Sequence, residues 1–310
     1  MPRARVGGVH LHYAQTGRGP DVVMVHGLGA NLAFWGLRIA PLLAREFRVT
    51  TYDLRGHGRS DAPPAGYTCA DMAGDLLGLM EQLELGPAHL VGHSFGGGVA
   101  LLAAVLRPDR VRTLVLADAI VPGLRAGARR GTARRWRAVR RRLEERGMEL
   151  PPTAGPGSAE LLDRVADPGL RAARAGGGAG LFVPFGLWNG APRAALQWRA
   201  LLRATTAARD FAVPAGLDRA RLAEVRQPAL ALYGARSRYL PTGRALRRAL
   251  PACRARLVPG AGHFHPMLQP GVVAREVRRF LRAAERRGTA APEAPGAGHT
   301  PSGAPDGDGA

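Results

Sequence analysis

The sequence predicts an α/β protein with a mostly parallel sheet covered by helices on both faces. Short apolar segments of strand length alternate with longer helical segments along most of the chain, which is the pattern of parallel strands joined by crossover helices. A glycine-rich turn also joins one such strand directly to an apolar helix at residues 90–98. At 310 residues the chain is long enough for one such domain with an insertion.

Each core element is predicted from its own pattern. Seven short apolar segments, bounded by glycine, proline or charged residues, have the length and composition of buried strands. Two longer segments have the length of helices. The predicted strands are residues 9–13, 21–25, 48–52, 111–118, 228–234 and 255–258, with one more ending at residue 91, and the predicted helices are residues 95–106 and 272–286.

The interval at residues 120–226 differs in composition from the segments around it. It begins with an arginine-rich helical pattern at residues 129–146 and separates two predicted core strands. We therefore expect a core of residues 1–119 and 227–287 with residues 120–226 inserted between its parts. Residues 288–310 are rich in proline, glycine and alanine and have no apolar periodicity, so we expect a disordered tail.

A Gly-x-Ser-x-Gly pattern at residues 92–96 is the most informative motif. It lies between an apolar strand and an apolar helix, and so tight a turn accepts no side chain larger than hydrogen at Gly92 and Gly96. Such a turn strains the serine backbone and exposes its hydroxyl. The following helix directs its first N–H groups at any oxyanion formed there. Ser94 is therefore the predicted nucleophile.

Three further motifs occur in an order that matches one known family. A His-Gly-Leu-Gly loop at residues 26–29 follows an early strand, an Arg-Gly-His-Gly-Arg-Ser loop at residues 55–60 follows the next, and Gly-Ala-Gly-His at residues 260–263 follows the last. Together with the serine motif they make the chain resemble the α/β-hydrolase fold family over roughly residues 5–285. The resemblance implies a sheet flanked by helices, with a helical cap at residues 120–226.

The resemblance also implies the partners of the nucleophile. The family places its catalytic histidine directly after Gly-x-Gly, which is His263 here. A loop after the last strand can overhang the edge of the sheet where the serine emerges. The family builds its oxyanion hole from the early His-Gly loop and from the residue after the nucleophile, which implies the backbone N–H groups of Leu28 and Phe95.

The other histidines of these motifs receive structural interpretations. His265 lies two residues beyond His263 and is interpreted as a rim residue or a contact at a helix start. His26 and His57 are expected to brace their loops, and His93 to pack beside the turn. No third ligand is evident for a metal at the two C-terminal histidines, and the two cysteines lack the spacing of a metal site or a disulfide framework. We therefore expect no metal and no cofactor.

The acid of the expected triad is where the sequence departs from the family. Relatives read Gly-x-x-Asp after the penultimate strand, but residues 234–237 read Gly-Ala-Arg-Ser, so Ser237 occupies the aspartate position. Asp118 ends the strand that follows the nucleophile strand, and neighbouring strands lie about 4.8 Å apart. Two readings stay open: Asp118 supplies the acid, or it is a strand-end residue that binds nearby backbone N–H groups.

The net charge of +20 raises nucleic acid as a partner, but the rest of the sequence argues against it. All 44 lysine and arginine positions are arginine, which is the bias of a GC-rich coding sequence, and aromatic residues make up only 5%. No apolar run approaches the roughly 20 residues of a membrane span, and no signal-peptide core follows Met1. We expect a cytoplasmic protein without nucleic-acid or stable membrane partners.

The expected function is a serine hydrolase that cleaves an ester or related acyl bond of a small, largely apolar molecule through a Ser94 acyl-enzyme. Epoxide hydrolases and haloalkane dehalogenases of the family use a carboxylate nucleophile, which the serine excludes, whereas carbon–carbon-bond hydrolases stay open. The alternative, favoured by Ser237, is a degenerate or repurposed member that binds a ligand or catalyses a rearrangement or cyclisation. The substrate and the oligomeric state stay open.

Overall fold

The computed structural model describes residues 2–125 and 192–289, together with residues 137, 140, 141, 144, 145, 149, 150 and 152. Within these ranges one sheet of eight strands is flanked by helices. The strands are β1 (Arg3–Val6), β2 (Val9–Thr16), β3 (Asp21–Val25), β4 (Arg48–Tyr52), β5 (Ala88–His93), β6 (Val111–Ala117), β7 (Ala229–Gly234) and β8 (Cys253–Val258). The helices are α1 (Ala33–Gly36), α2 (Ala40–Leu43), α3 (Cys69–Gln82), α4 (Phe95–Leu106), α5 (Pro192–Ala204), α6 (Ala207–Asp210), α7 (Arg219–Ala223), α8 (Leu240–Ala249), α9 (His265–Leu268) and α10 (Pro270–Thr289).

The sheet runs in the order β1-β2-β4-β3-β5-β6-β7-β8. β1 pairs antiparallel with β2, and β2 pairs antiparallel with β4. The remaining pairs, from β4 through β3 and β5 to β8, are all parallel. The predicted mostly parallel sheet is therefore confirmed. The sequence pattern missed β1, an edge strand whose side chains alternate between exposed and buried.

Two apolar cores lie on opposite faces of the sheet. Successive side chains of a strand point to opposite faces, and β3 shows this division: Val23 and Val25 pack in one core, Val22 and Met24 in the other. The first core also takes up α3 and α4, and the second takes up α1, α2 and α10. All five residues of β3 are buried, as a central parallel strand requires.

α10 is longer than the helix predicted over residues 272–286. It begins at Pro270, whose fixed φ suits the first position of a helix, and it continues through Thr289. The expected start of the tail at residue 288 therefore falls inside the helix, and residues 290–310 lie outside the described residues. No helix in the described ranges, α10 included, is both long enough and apolar enough to cross a membrane.

Much of the expected cap at residues 120–226 lies outside the described residues. In its described part, α5 packs on the loop that follows β4. The side-chain amide of Gln197 donates a hydrogen bond to the carbonyl oxygen of Gly58 at 2.8 Å, and Trp198 is buried in the first core. These contacts attach the end of the insertion to the core, while the domain boundaries stay a prediction.

The residues singled out in the sequence converge on one edge of the sheet. Parallel strands end at the same edge, so the loops after β3, β5, β6, β7 and β8 all meet there. β5, β6, β7 and β8 are also consecutive neighbours in the sheet. In strand order, these five loops carry residues 26–29, Ser94, Asp118, Ser237 and His263.

Candidate active site

Ser94 lies in the sharp turn between β5 and α4 with a strained backbone. Its φ is 57° and its ψ is −121°, a conformation that residues other than glycine rarely adopt. Its carbonyl oxygen accepts hydrogen bonds from the N–H groups of Gly97 at 3.1 Å and Ile120 at 3.0 Å. These bonds hold the strained turn that the Gly-x-Ser-x-Gly pattern predicts.

The two glycines of the motif are required by close backbone contacts. A Cβ atom at Gly92 would lie 2.3 Å from the carbonyl oxygen of Gly96, and a Cβ atom at Gly96 would lie 2.3 Å from the carbonyl oxygen of His26. Both obstacles are backbone atoms of the buried core. Neither obstacle can rotate away as the end of a flexible side chain would, so the turn tolerates no larger residue.

Gly96→Ala is expected to lower the free energy of unfolding by about 2 kcal/mol or more, because forcing atoms into a packed site costs about 1–3 kcal/mol. Gly74→Ala is the matched control, since Gly74 lies within α3 and a Cβ atom there meets nothing within 4 Å. We expect that control to stabilise the protein by about 0.5–1 kcal/mol. Urea unfolding followed by circular dichroism measures both changes, and a Gly96→Ala variant as stable as the wild type would contradict this turn geometry.

His263 lies within hydrogen-bond distance of the nucleophile. Its Nε2 atom is 3.1 Å from Oγ of Ser94. Nε2 of His93 donates a hydrogen bond to the backbone carbonyl oxygen of His263 at 3.0 Å. The rings of His93 and Tyr239 are each centred 4.6 Å from the His263 ring. The structure thus brings the predicted nucleophile and base together, and His93 packs beside the turn as expected.

Asp118 is fully buried at the end of β6, next to His263. Its Oδ1 atom lies 3.8 Å from Nδ1 of His263. That separation is longer than a hydrogen bond, although catalytic hydrogen bonds often tighten only when substrate binds. Its Oδ2 atom accepts a hydrogen bond from the N–H of Gly234 at 2.9 Å. The contacts of Asp118 therefore fit both interpretations: it faces His263 as an acid would, and it binds a backbone N–H as a strand-end residue would.

Ser237, at the position where relatives carry the acid, contacts Asp118 directly. Its hydroxyl donates a hydrogen bond to Oδ1 of Asp118. The N–H of Tyr239 donates to Oγ of Ser237 at 3.1 Å. The position where the family carries its acid is thus in direct contact with the carboxylate of Asp118. Sequence reasoning treated the two residues separately and did not find this contact.

The structure corrects the interpretation of His265. It is the first residue of α9, as a helix-start contact requires, but it is completely buried and does not lie on a rim. Its Nε2 atom is 3.2 Å from Oδ2 of Asp118. The carboxylate therefore lies between two histidines. In the part of the chain that the structure describes, no three His, Cys, Asp or Glu side chains cluster so that they could hold a metal ion.

Burial and mutual contact set the charges of the site. Burial raises the pKa of Asp118, but its contacts with His263 and His265 outweigh burial and hold the pKa below its usual range. Burial lowers the pKa of His263 below its ordinary value of 6.5, although contact with Asp118 opposes this shift. Burial and the neighbouring His263 lower the pKa of His93 well below the same value. At neutral pH Asp118 is therefore ionised and His263 is an uncharged base.

The two N–H groups expected to form the oxyanion hole belong to Leu28, in the early loop, and to Phe95, the residue after the nucleophile. The early loop passes against Ser94, since a Cβ atom at Gly27 would lie 2.9 Å from Cβ of Ser94. Phe95 is the first residue of α4, where N–H groups have no acceptor inside the helix. Among the residues that the structure describes, neither N–H donates a hydrogen bond. Both donors are therefore available to an oxyanion.

Two further motif histidines brace their loops, as the sequence predicts. Nδ1 of His26 donates to the carbonyl oxygen of Gly27 at 2.8 Å, and Nε2 accepts from the N–H of Leu54 at 3.1 Å. Nδ1 of His57 donates to the carbonyl oxygen of Arg55 at 2.9 Å. Burial lowers the pKa of His57 to about 3, so its ring stays neutral.

Aromatic side chains pack against one another in a row that begins beside the nucleophile and ends at the buried Trp198. Phe95, the residue after Ser94, packs edge-on against Phe211 with 5.8 Å between ring centroids. Phe211 stacks on Trp198 at 5.5 Å, and Trp198 contacts the ring of His57 at 5.5 Å. Neither Phe211 nor Trp198 belongs to a sequence motif, and only the fold brings them together.

The comparisons with known proteins agree with this fold. A family model described as the alpha/beta hydrolase fold matches residues 20–270. The chain is 29% identical over 295 residues to 2-(acetamidomethylene)succinate hydrolase of Mesorhizobium japonicum, which covers 91% of this chain and 95% of that protein. It is also 39% identical over 110 residues to epoxide hydrolase 2 of Siraitia grosvenorii, covering 35% of each.

Several curated relatives match over a limited stretch. In four of these relatives the aligned segment covers between 31% and 42% of the relative's own length. Among solved structures, a thermophilic esterase from Thermogutta terrifontis, solved with malate bound, is 27% identical with a TM-score of 0.61, covering 91% of this chain and 98% of that one.

Proposed function

Because the chain belongs to the α/β-hydrolase fold family, we propose that it is a serine hydrolase that cleaves an ester or related acyl bond of a small, largely apolar molecule. The family and the hydrolases among its relatives support a hydrolytic activity. The single observation that supports the serine mechanism is the 3.1 Å distance between Oγ of Ser94 and Nε2 of His263.

The proposed reaction has two steps. In the first, His263 takes the proton of the Ser94 hydroxyl while Oγ attacks the acyl carbon, and the oxyanion accepts hydrogen bonds from the N–H groups of Leu28 and Phe95. His263 then gives its proton to the leaving group, which departs and leaves an acyl-enzyme. In the second step His263 takes a proton from a water molecule, whose oxygen attacks the acyl carbon. His263 then returns that proton to Oγ as the bond to Ser94 breaks and the acid product is released.

We assign Asp118 the role of the acid. A carboxylate beside Nδ1 keeps the proton of the imidazole on that atom and stabilises the imidazolium that forms during attack. Asp118 suits this role because its pKa lies below the usual range, so it keeps its charge at neutral pH. The contact with Ser237 explains how the chain tolerates a serine at the usual acid position, since a carboxylate lies within hydrogen-bond distance of it.

Two other activities have less support. Epoxide opening, the activity in the name of one relative, relies in this family on a carboxylate nucleophile, and Ser94 occupies that position. The reading of a repurposed, non-hydrolytic member rested on the missing acid at Ser237, and Asp118 supplies a carboxylate there. The partly buried rings of Phe95 and Phe211 favour an apolar acyl or alcohol group beside the nucleophile.

The pH dependence of ester hydrolysis tests the proposal. The base form of His263 is required, and burial lowers the pKa of this histidine below 6.5. We therefore expect kcat/KM for short p-nitrophenyl esters to rise with pH to a plateau, with the midpoint of the rise below pH 6.5. Buffer without enzyme supplies the background rate. A midpoint above pH 7, or no turnover of any short ester at any pH, would contradict the assignment of His263 or the hydrolase itself.

A further inference from the structure

We propose that Ser237 and His265 are positioning residues that fix the Asp118 carboxylate against His263, so that the site works as a Ser94–His263–Asp118 triad with two dedicated supports. The inference rests on the serine hydrolase function proposed above. It goes beyond that function because neither residue touches the reacting atoms in the proposed steps.

Each oxygen of the carboxylate has its own partners. Oδ1 accepts the hydroxyl hydrogen of Ser237 and faces Nδ1 of His263 at 3.8 Å. Oδ2 accepts from the N–H of Gly234 at 2.9 Å and lies 3.2 Å from Nε2 of His265. Three of these four partners have no part in the proposed proton transfers. They occupy the directions in which the carboxylate could otherwise turn away from His263.

Asp118 needs such support because of its place in the fold. Its side chain is completely buried, and a buried carboxylate is costly unless hydrogen bonds replace its water. Its backbone has a φ of 46°, a strained value that persists only where the surroundings fix it. The shift of the acid from β7 to β6 therefore brings a requirement for donors. Ser237 meets it with a hydrogen bond, and His265 with a ring nitrogen 3.2 Å from the carboxylate.

The direction of the Ser237 hydroxyl is fixed by its second partner. The N–H of Tyr239 donates to Oγ of Ser237 at 3.1 Å, which uses the oxygen as an acceptor. The one hydroxyl hydrogen then points to Asp118. Ser237 thus connects the start of the segment leading into α8 to the carboxylate, in the position where relatives place the carboxylate itself.

The tautomer of His265 follows from its surroundings. Among the residues that the structure describes, neither ring nitrogen of His265 makes a regular hydrogen bond, but Nε2 lies 3.2 Å from a carboxylate oxygen of Asp118. A neutral imidazole has one N–H and one lone pair, and a carboxylate only accepts. We therefore assign the proton to Nε2, which directs an N–H at Asp118 across the 3.2 Å separation.

His263 and His265 share the charge of one carboxylate. Every donor to Asp118 lowers the basicity of that carboxylate and so weakens its hold on a protonated His263. Removing the donor of His265 or Ser237 is therefore expected to raise the pKa of His263. The other groups facing His263 are His93, Tyr239 and Arg238, and these variants leave all three unchanged.

The experiment measures the rate of covalent labelling by a fluorophosphonate probe between pH 4 and 9. For His265→Leu and Ser237→Ala we expect the plateau rate to fall about tenfold or more, as loss of a hydrogen bond to a charged group implies. We also expect the midpoint of the acid limb to move to higher pH. His265→Gln, which retains an N–H at the same reach, is expected to recover most of both properties, and so is Ser237→Thr, which retains the hydroxyl.

A matched control separates positioning from a general loss of packing. His89 is also a fully buried histidine, with Nε2 3.1 Å from a carboxylate oxygen of Glu285. It lies near the start of β5, at the opposite end of the strand from Ser94. His89→Leu should lower the melting temperature as His265→Leu does, while its labelling rate and midpoint stay those of the wild type.

If His265→Leu does not fold, a second pair of variants tests the positioning role of His265. Glutamine and asparagine are both polar amides, but the shorter asparagine does not reach Asp118, so His265→Asn should shift the midpoint upward and His265→Gln should not. Equal midpoints and rates for wild type, Gln, Asn and Ser237→Ala would overturn the inference and leave the hydrolase intact. A wild-type protein that is not labelled at any pH would overturn the proposed function, and the inference with it.

Discussion

Replacing Ser94 by alanine is expected to abolish turnover of short aryl esters, with kcat falling by about 10⁶-fold, as loss of the nucleophile of a serine triad does. The change removes only the Oγ atom from a residue whose strained backbone is held by the N–H groups of Gly97 and Ile120. The melting temperature should therefore change little. Steady-state kinetics with p-nitrophenyl esters measures the loss, and thermal unfolding checks the fold.

His10→Ala is the control for this prediction. His10 is exposed on β2, where its Nδ1 atom lies 2.8 Å from Oδ2 of Asp61, far along the sheet from the proposed site. Its activity should equal that of the wild type, because the sheet order separates β2 from β5 by two strands. A Ser94→Ala protein that is folded and keeps wild-type turnover would exclude Ser94 as the nucleophile.

Asp118→Asn is expected to reduce kcat by about 10⁴-fold, since loss of the aspartate in a serine triad costs about that much. The amide keeps the size of the side chain but has no charge to stabilise the imidazolium. The same substitution offers an N–H to a site whose other groups are donors, namely Ser237, Gly234 and His265. We expect some loss of stability, which thermal unfolding measures separately from the rate.

Ser237→Asp tests the role of Asp118 in a second way. Its expected effect on activity is a loss in the wild-type background and a gain in the Asp118→Asn background. In the wild-type background it places a second carboxylate against Asp118, and two like charges at one buried site raise a pKa strongly and destabilise the fold. In the Asp118→Asn background it restores one carboxylate at the family's usual acid position. We therefore expect Ser237→Asp alone to impair activity and the double variant to be more active than Asp118→Asn by about tenfold or more.

Two results would count against Asp118 as the acid. One is near-full activity of a stable Asp118→Asn variant, which would leave Asp118 a strand-end residue and the site a Ser94–His263 pair. The other is a double variant no more active than Asp118→Asn although it folds. The second result would show that a carboxylate at residue 237 does not reach His263 even when its neighbour is uncharged.

The sequence predicts well those features that depend on neighbouring residues along the chain. The tight turn at Ser94 requires glycine at Gly92 and Gly96, and this requirement is visible in five consecutive residues. The order of the loop motifs likewise places His263 after the last strand. The parallel strands then bring these loops to one edge of the sheet, as their alternation with helices predicts.

The sequence does not predict contacts between distant residues that carry no motif. Asp118 and Ser237 are 119 positions apart, and only the pairing of β6 with β7 places them together. His265 follows His263 by two residues, yet the start of α9 turns it into the core. Trp198 and Phe211 reach the site through the inserted segment, whose path does not follow from its composition. The edge strand β1 was missed because half of its side chains are exposed arginines.

The identity of the residue that carries the acyl group during turnover is the most direct test of the serine mechanism. The wild-type protein is mixed with a slowly deacylating p-nitrophenyl ester, stopped with acid, digested and mapped by mass spectrometry. We predict one acyl adduct, on Ser94, which forms in the wild type and is absent from Ser94→Ala. Turnover without any adduct under conditions that trap other serine hydrolases, or an adduct on a different residue, would contradict the proposed mechanism.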